Sequence, residues 1–298
     1  MGKKKNTGVY FEKGNNYHIN DSEKVKVYEY DINQKIKIRN CGKFKNNYLS
    51  DYKKLNKQEY VNIQTGEIKK YEIGEFKSPS SLKKSMNNLK ELLLNNFNGG
   101  KNEEFLTLTY TEEETDFDKT VDDLGDFWKK LKKKYKDIEY IGVIEKQKSR
   151  NSWHIHMVLK NKNNQKLFIP QEEIVKIWNK GQSVWITPIT DKGIKNVIKQ
   201  LSKINDYKKF EYDEEQLPIN RVINYMSKIQ TKEEIPSFKK SYYKSRGIIF
   251  PKVSMMNYDK AQKLLNDNCY LLYEKTILIK SVLTDKILKR IKEELYQN

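Results

Sequence analysis

Apolar residues change their period several times along this chain, and each change predicts an element. Residues 1 to 77 are polar and rich in Asn and Lys. Short alternating stretches there, Val25-Lys-Val-Tyr28 and Lys35-Ile-Lys-Ile38, predict short strands. From Ser78 the texture is different: Pro79 stands at a first helical position, Leu82, Met86, Leu89 and Leu93 recur at helical spacing, and Gly99-Gly100 stops the pattern. Phe105-Leu-Thr-Leu-Thr-Tyr110 then alternates with period two, as a half-buried strand does. Asp118 to Lys136 follows as an amphipathic helix carrying Val121, Leu124, Phe127, Trp128, Leu131 and Tyr135.

Two further strands, Tyr140-Ile-Gly-Val-Ile-Glu145 and Trp153-His-Ile-His-Met-Val-Leu159, flank a polar turn and predict a hairpin. A helix over 170–180, with Ile174, Ile177 and Trp178 inward, is ended by Gly181, and a strand covers 183–189. After a charged loop at 206–216, residues 219–229 read as helix again, and 257–298 predict a helical tail with Leu264, Leu271, Leu283, Ile287 and Leu295 among its packing positions. The expected fold class is α+β, a central antiparallel sheet with helices packed on it and a helical C-terminal tail. The expected organisation is a polar N-terminal extension at 1–77, a main domain at 78–256 and the tail at 257–298.

Composition narrows what such a fold does. The chain has 298 residues, 58 Lys+Arg against 40 Asp+Glu and a formal charge of +18. It contains no apolar run near the roughly 18 residues of a spanning helix, and with two cysteines it is no disulfide scaffold. Cys41 and Cys269 are expected to be free thiols in a reducing cytosol, and the protein to be cytoplasmic. Abundant Lys, Asn, Ile and Tyr with a single Ala, Ala261, suggest an AT-rich genome, which explains Lys replacing Arg but not the sign of the charge. The basic excess favours a polyanionic partner through counterion release, nucleic acid rather than a membrane surface.

The candidate chemistry starts at His154-Ile-His156, two of only three histidines in the chain. At i and i+2 of a strand both imidazoles share one face, while Ile155 turns to the core on the other. An isolated pair of this kind is as readily two ordinary structural histidines. Pairing of the hairpin changes that, because it brings the Glu145 carboxylate to the same face and completes a three-ligand set with an open position for Lewis-acid work on a phosphoryl oxygen. Ligand type alone suits Zn as well as Mn. A nucleophile is available on the last helix of the domain, where Tyr225 and Lys228 stand at i and i+3 on one face. The same spacing occurs at Tyr10 and Lys13, so what distinguishes Tyr225 is its place after the His-x-His strand.

Three motifs in this order resemble the rolling-circle replication initiators of the HUH endonuclease superfamily. Phe105-Leu-Thr-Leu-Thr is similar to the family's first motif, Trp153-His-Ile-His-Met-Val-Leu to its metal-site motif and Tyr225-Met-Ser-Lys228 to its nucleophile motif. Tyr60-Val-Asn-Ile-Gln-Thr-Gly-Glu-Ile, Asn96-Phe97, Trp178 to Gly181 and Ser245-Arg-Gly-Ile-Ile-Phe-Pro251 extend the likeness over roughly 60–255, much as in initiators of Gram-positive plasmids and integrated elements.

The resemblance implies a ferredoxin-like core. It implies that His154, His156 and Glu145 bind a divalent metal, Mn or Mg, and that Tyr225 attacks a phosphodiester to give a 5′-phosphotyrosine and a 3′-OH primer. Lys228 would help position or deprotonate the nucleophile, or hold the phosphate. The implied partner is single-stranded or extruded origin DNA, with a host helicase and DNA polymerase, since the chain carries no Gly-x-x-x-x-Gly-Lys-Ser/Thr pattern of its own. Homo-oligomerisation through the flanks is a further expectation. A near-copy of the third motif, Ile198-Lys-Gln-Leu-Ser-Lys203, has Gln200 in the tyrosine place, and Gln cannot form the covalent link.

Further DNA contacts are expected from Lys132 and Lys133 in the lysine-rich run 129–136, and from Tyr242, Tyr243, Lys244 and Arg246, where rings alternate with cations. The alternatives are a relaxase or transposase with the same site, and a non-catalytic DNA-binding protein in which both motifs are coincidental.

Overall fold

A computed structural model describes residues 9–15, 17–32, 34–41, 52–56, 59–70, 74–147, 150–182, 184–190, 192, 218–232, 235–282 and 285–297. The chain divides into two compact units, one of residues 74–250 and one made from 1–73 together with 251–298. The architecture is α+β, with antiparallel sheets and helices packed on the sheet core.

In the 74–250 unit, α1 (Pro79–Asn96) leads into β7 (Gly100–Leu108), then α2 (Phe117–Lys134), β8 (Ile138–Gln147), β9 (Ser152–Asn161), α3 (Gln171–Trp178), β10 (Val184–Ile189), α4 (Pro218–Lys232) and the short β11 (Tyr243–Lys244). The five strands form one antiparallel sheet in the order β10-β7-β9-β8-β11. Its two faces carry separate cores. Leu106, Leu108, Ile144, Ile155 and Met157 pack with α2 and α3 through Leu124, Phe127, Ile174 and Trp178. Phe105, Ile141, Val143 and Val158 pack on the other face with Leu89 and Leu93 of α1 and Ile219, Val222 and Met226 of α4.

Local chemistry sets the helix ends. Ser78 Oγ accepts from Ser81 N at the start of α1, and Asp116 caps α2 by accepting from the amides of Asp118 and Lys119. Helix α3 ends on Asn179 in the left-handed region, φ 48°, so Asn179 and not Gly181 is its stop residue.

The other unit holds the six-stranded sheet β1-β13-β14-β3-β2-β12, with β1 at Val9–Lys13, β2 at Lys24–Tyr30, β3 at Lys35–Asn40, β12 at Lys252–Asn257, β13 at Tyr270–Ser281 and β14 at Ile287–Gln297. A small three-stranded sheet, β4 (Tyr52–Lys54), β5 (Glu59–Asn62) and β6 (Ile68–Lys70), accompanies it. The helical tail expected at 257–298 is therefore corrected: only α5 (Tyr258–Gln262) is helical there, and the rest that is described is mainly a long hairpin. The leucine spacing matched a helix, but β14 pairs with β3 from Glu293↔Arg39 to Gln297↔Lys35, and the chain's first and last segments so complete one sheet. Ladder partners 250 residues away decide the conformation against local propensity. Among the described residues Cys41 and Cys269 form no disulfide, and no helix among them is long and apolar enough to cross a membrane.

One strand of the larger core carries a stability cost. Glu104 of β7 is 2% exposed, its Oε2 has no hydrogen-bond partner, and burial pushes its carboxyl up to about 8. The folded state thus binds a proton that the unfolded chain has already lost above about pH 4.5, so stability contributed by this group falls as pH rises from there to about 8. Glu104→Gln is expected to leave the melting temperature nearly unchanged at pH 4.5 and to raise it at pH 8. Thermal melts of both proteins across that range check the sign.

Candidate active site

The candidate site lies on the α1/α4 face of the sheet, where β7, β8 and β9 lie side by side. Period-two alternation puts Thr107, His154, His156 and Glu145 on this face, and the register places Thr107 and Val143 on either side of His156 and Glu145 opposite His154. Helix α4 then lowers Tyr225 onto the row from above. The Tyr225 hydroxyl lies 3.1 Å from Glu145 Oε2 and 3.3 Å from His156 Nε2, and those two atoms are 2.8 Å apart. The three groups form one closed triangle of polar contacts.

Ring packing fixes the triangle from the side. Phe105 stacks on His156 at 5.9 Å between centroids and meets Tyr225 edge-on at 6.1 Å, while Tyr225 stands edge-on to His156 at 5.3 Å. On its far side His156 Nδ1 is 3.0 Å from Thr107 Oγ1. A hydroxyl can donate to a bare Nδ1 or accept from Nδ1–H, so Thr107 holds the ring in either tautomer and leaves Nε2 directed at Glu145 and Tyr225. Thr107→Val removes this partner and leaves Nδ1 buried without one. Any chemistry that depends on His156 is expected to slow about 10-fold to 100-fold, with recovery in Thr107→Ser, measured as the initial rate of DNA cleavage.

His154 completes the row beside the triangle, opposite Glu145 in the ladder; its ring centre is 6.5 Å from that of His156. Burial, then the neighbouring His156, pushes His154 down to about 4, so its imidazole is neutral at pH 7 with a lone pair to give. The histidine face is not open as the strand pattern suggested, because α4 covers it: His154 is 8% and His156 1% exposed.

Two imidazoles and a carboxylate are a donor set that suits a divalent cation. As placed, no three His, Cys, Asp or Glu side chains among the described residues converge as a finished cage. Glu145 and His156 already touch at 2.8 Å.

Of the remaining expected residues, Lys228 lies on α4 with its side chain outside the described set, and the near-copy at 198–203 and the charged segment 206–216 also fall outside it. Lys132, Lys244 and Arg246 line a single cleft of about 340 Å³ at the β11 edge of the sheet. Lys133 is exposed on α2 away from that lining. Tyr242 packs against the α1/α4 core and Tyr243 against the opposite one, both half-buried, and burial pushes both phenols above their usual value.

Sequence reasoning missed Thr107 as a histidine partner, although it lies in the strand motif already singled out. It also missed Trp128 and Lys162 beside the cleft, since an apolar helix position and a turn lysine carry no signal by themselves.

An α+β unit with a buried tyrosine–histidine–carboxylate cluster on its sheet is therefore the class of protein that fold and site define. Residues 103–205 match the family model described as replication-associated protein ORF2/G2P. No curated protein and no solved structure matches the chain. The matched span carries Thr107, Glu145, His154 and His156, and Tyr225 lies beyond it. Over that span, about a third of the chain, the similarity is to a replication-associated family.

Proposed function

We propose that this chain is a rolling-circle replication initiator that nicks and joins single-stranded origin DNA through Tyr225. The single observation that supports it is the Tyr225 hydroxyl within 3.1 Å of Glu145 and 3.3 Å of His156, a phenol delivered by one helix to bases on two strands. Free phenols ionise near pH 10, so attack at neutral pH needs a base in contact.

In the proposed reaction the phenolic oxygen bonds to phosphorus, the phenolic proton goes to Glu145, and the bond from phosphorus to O3′ breaks. O3′ leaves and takes up a proton from solvent, giving a 5′-phosphotyrosine and a 3′-OH. His156, held by Thr107, orients the carboxylate. His154, His156 and Glu145 are the residues that would hold a divalent cation, Mn or Mg, whose chemistry when bound is to polarise the phosphoryl oxygen. Lys228, one turn beyond Tyr225, is proposed to hold the phosphate.

The test is incubation of the purified protein with end-labelled single-stranded oligonucleotides and Mn, followed by denaturing electrophoresis and peptide mapping. An SDS-resistant adduct mapping to the peptide that contains Tyr225, and lost in His154→Ala, is the expected result. No adduct over many sequences and metals, with salt-sensitive DNA binding retained, would overturn the enzymatic reading in favour of a DNA-binding protein.

A further inference from the structure

The cleft at the β11 edge lies on β8 away from the tyrosine cluster. Tyr140, in its floor, precedes Glu145 by five residues, roughly 17 Å along an extended strand, and packs in the core on the opposite sheet face. Its floor is aromatic: the half-buried Trp128 ring sits 4.4 Å from that of Tyr140, inclined at 45°. The Tyr140 amide donates to Ser245 Oγ at 2.9 Å, which ties this floor to the segment after β11.

The rim is cationic. Lys132, Lys162, Lys244 and Arg246 share the lining with one carboxylate, Glu139, which Lys162 pairs at 3.1 Å, and Asp137 nearby adds a second negative charge that acts on Lys132 and Lys162. Lys132 Nζ donates to the Ile138 carbonyl at 2.6 Å and lies 5.7 Å from the Trp128 ring centre. Lys244 Nζ donates to the Ile248 carbonyl, also at 2.6 Å. Burial, and then the adjacent Lys162 ammonium, hold Lys132 below the usual lysine range, while its contact with Glu139 raises Lys162. Arg246 is exposed and has no hydrogen-bond or ion-pair partner among the described residues. Gly247 lies so close to Glu139 that a Cβ would meet its Oε1 at 2.6 Å, so glycine at this position leaves room for the carboxylate.

An aromatic floor beneath a cationic rim fits a ligand with a planar ring at one end and a phosphate at the other. The volume lies at the lower end of the roughly 300 to 1,000 Å³ of ligand clefts, enough for one such unit. We infer that this cleft binds one nucleotide of a single DNA strand outside the reacting phosphate, its base against Trp128 and its phosphate among Lys132, Lys162 and Arg246. The choice of a strand over a free nucleotide rests on the proposed function; the chemistry of base and phosphate is common to both. Stacking on one aromatic ring and one guanidinium–phosphate contact are the terms by which single strands are held without sequence reading.

The experiment measures binding of a fluorescein-labelled 20-nucleotide oligo-dT to the full chain by anisotropy over a salt series, without divalent cation. Arg246→Ala is expected to weaken binding about 10-fold and to lower the log–log salt slope by about 0.7. Trp128→Leu is expected to weaken it by about 10-fold with the slope unchanged. Lys176→Ala, an exposed lysine on α3, serves as the charge-matched control and stays within about twofold of wild type.

Arg246 bears no packing load, so loss of binding there is not a folding defect; circular dichroism checks Trp128→Leu, with Trp128→Phe as its milder form. Affinities of Arg246→Ala and Trp128→Phe matching the Lys176→Ala control would overturn the inference. So would tight quenching of tryptophan fluorescence by dTMP that depends on Trp128 while strand affinity stays unmoved, since the cleft would then serve a free nucleotide. Failure of the Tyr225 adduct assay with these binding losses intact would remove the proposed chemistry and leave the cleft assignment standing.

Discussion

Tyr225→Phe is expected to abolish the covalent protein–DNA product, a loss of at least about 1,000-fold, while oligonucleotide affinity stays within about twofold. The substitution removes one oxygen and keeps the ring, so the edge-on contacts with Phe105 and His156 persist. Glu145 keeps its 2.8 Å contact with His156, so no buried carboxylate is stranded, and the lost hydrogen bond costs only about 1 kcal/mol of stability. A fall in activity with an almost unchanged melting temperature would therefore report the nucleophile and not the fold. Quantitative gel assay of the adduct beside a thermal melt makes the comparison. Adduct surviving in Tyr225→Phe would transfer the role to another phenol. Tyr242 and Tyr243 are poorly placed for it, because burial raises both and neither hydroxyl is hydrogen-bonded to a histidine or carboxylate among the described residues.

Gly181→Ala carries the largest expected effect on stability. A Cβ at Gly181 would drive into the Thr109 carbonyl, with its oxygen nearest and its carbon at 2.9 Å, and would stand 3.1 Å from the Thr111 amide. All of these are backbone atoms, and none can step aside alone. Thr111 N donates to the Lys180 carbonyl at 2.9 Å, and Trp178 Nε1 donates to the Thr109 carbonyl at 2.8 Å, so the α3 terminus and the chain leaving β7 are locked together at this point. Separating them opens the core around Trp178, which is 1% exposed, and shifts the strand that carries Thr107. A loss of about 3 kcal/mol or more is expected, seen as a melting temperature lower by about 10 °C. Gly125→Ala is the contrast: it lies within α2 with nothing within 4 Å of its Cβ, and should stabilise by about 0.5–1 kcal/mol. Paired melts of the two variants separate a glycine needed for close approach from one that is merely tolerated.

Gly181 also marks where reading along the chain stopped short. Its position after an amphipathic helix reads as a helix stop, and the stop is Asn179; what requires glycine is a backbone more than 70 positions earlier, which no local pattern encodes. The tail at 257–298 failed for the same reason, because the partners that make β14 a strand are in β3. His154 and His156 were legible as residues sharing a face, and Glu145 as their neighbour, because strand period and hairpin pairing are short-range properties. Their near-complete burial was not legible, since it comes from α4, far along the chain from the hairpin.

By itself the sequence determined the α+β class, the hairpin and its polar face, the helix that bears Tyr225 and the sign of the charge. Periodicity and capping act within a few residues of one another, and charge is a plain sum. The tertiary structure alone decided that the tyrosine hydroxyl meets Glu145 and His156, that Thr107 holds the far side of that histidine, that four scattered cations share one aromatic cleft, and that the two chain ends form one sheet. Each of these depends on contacts between residues far apart in sequence, whose geometry is set by which faces can be buried together.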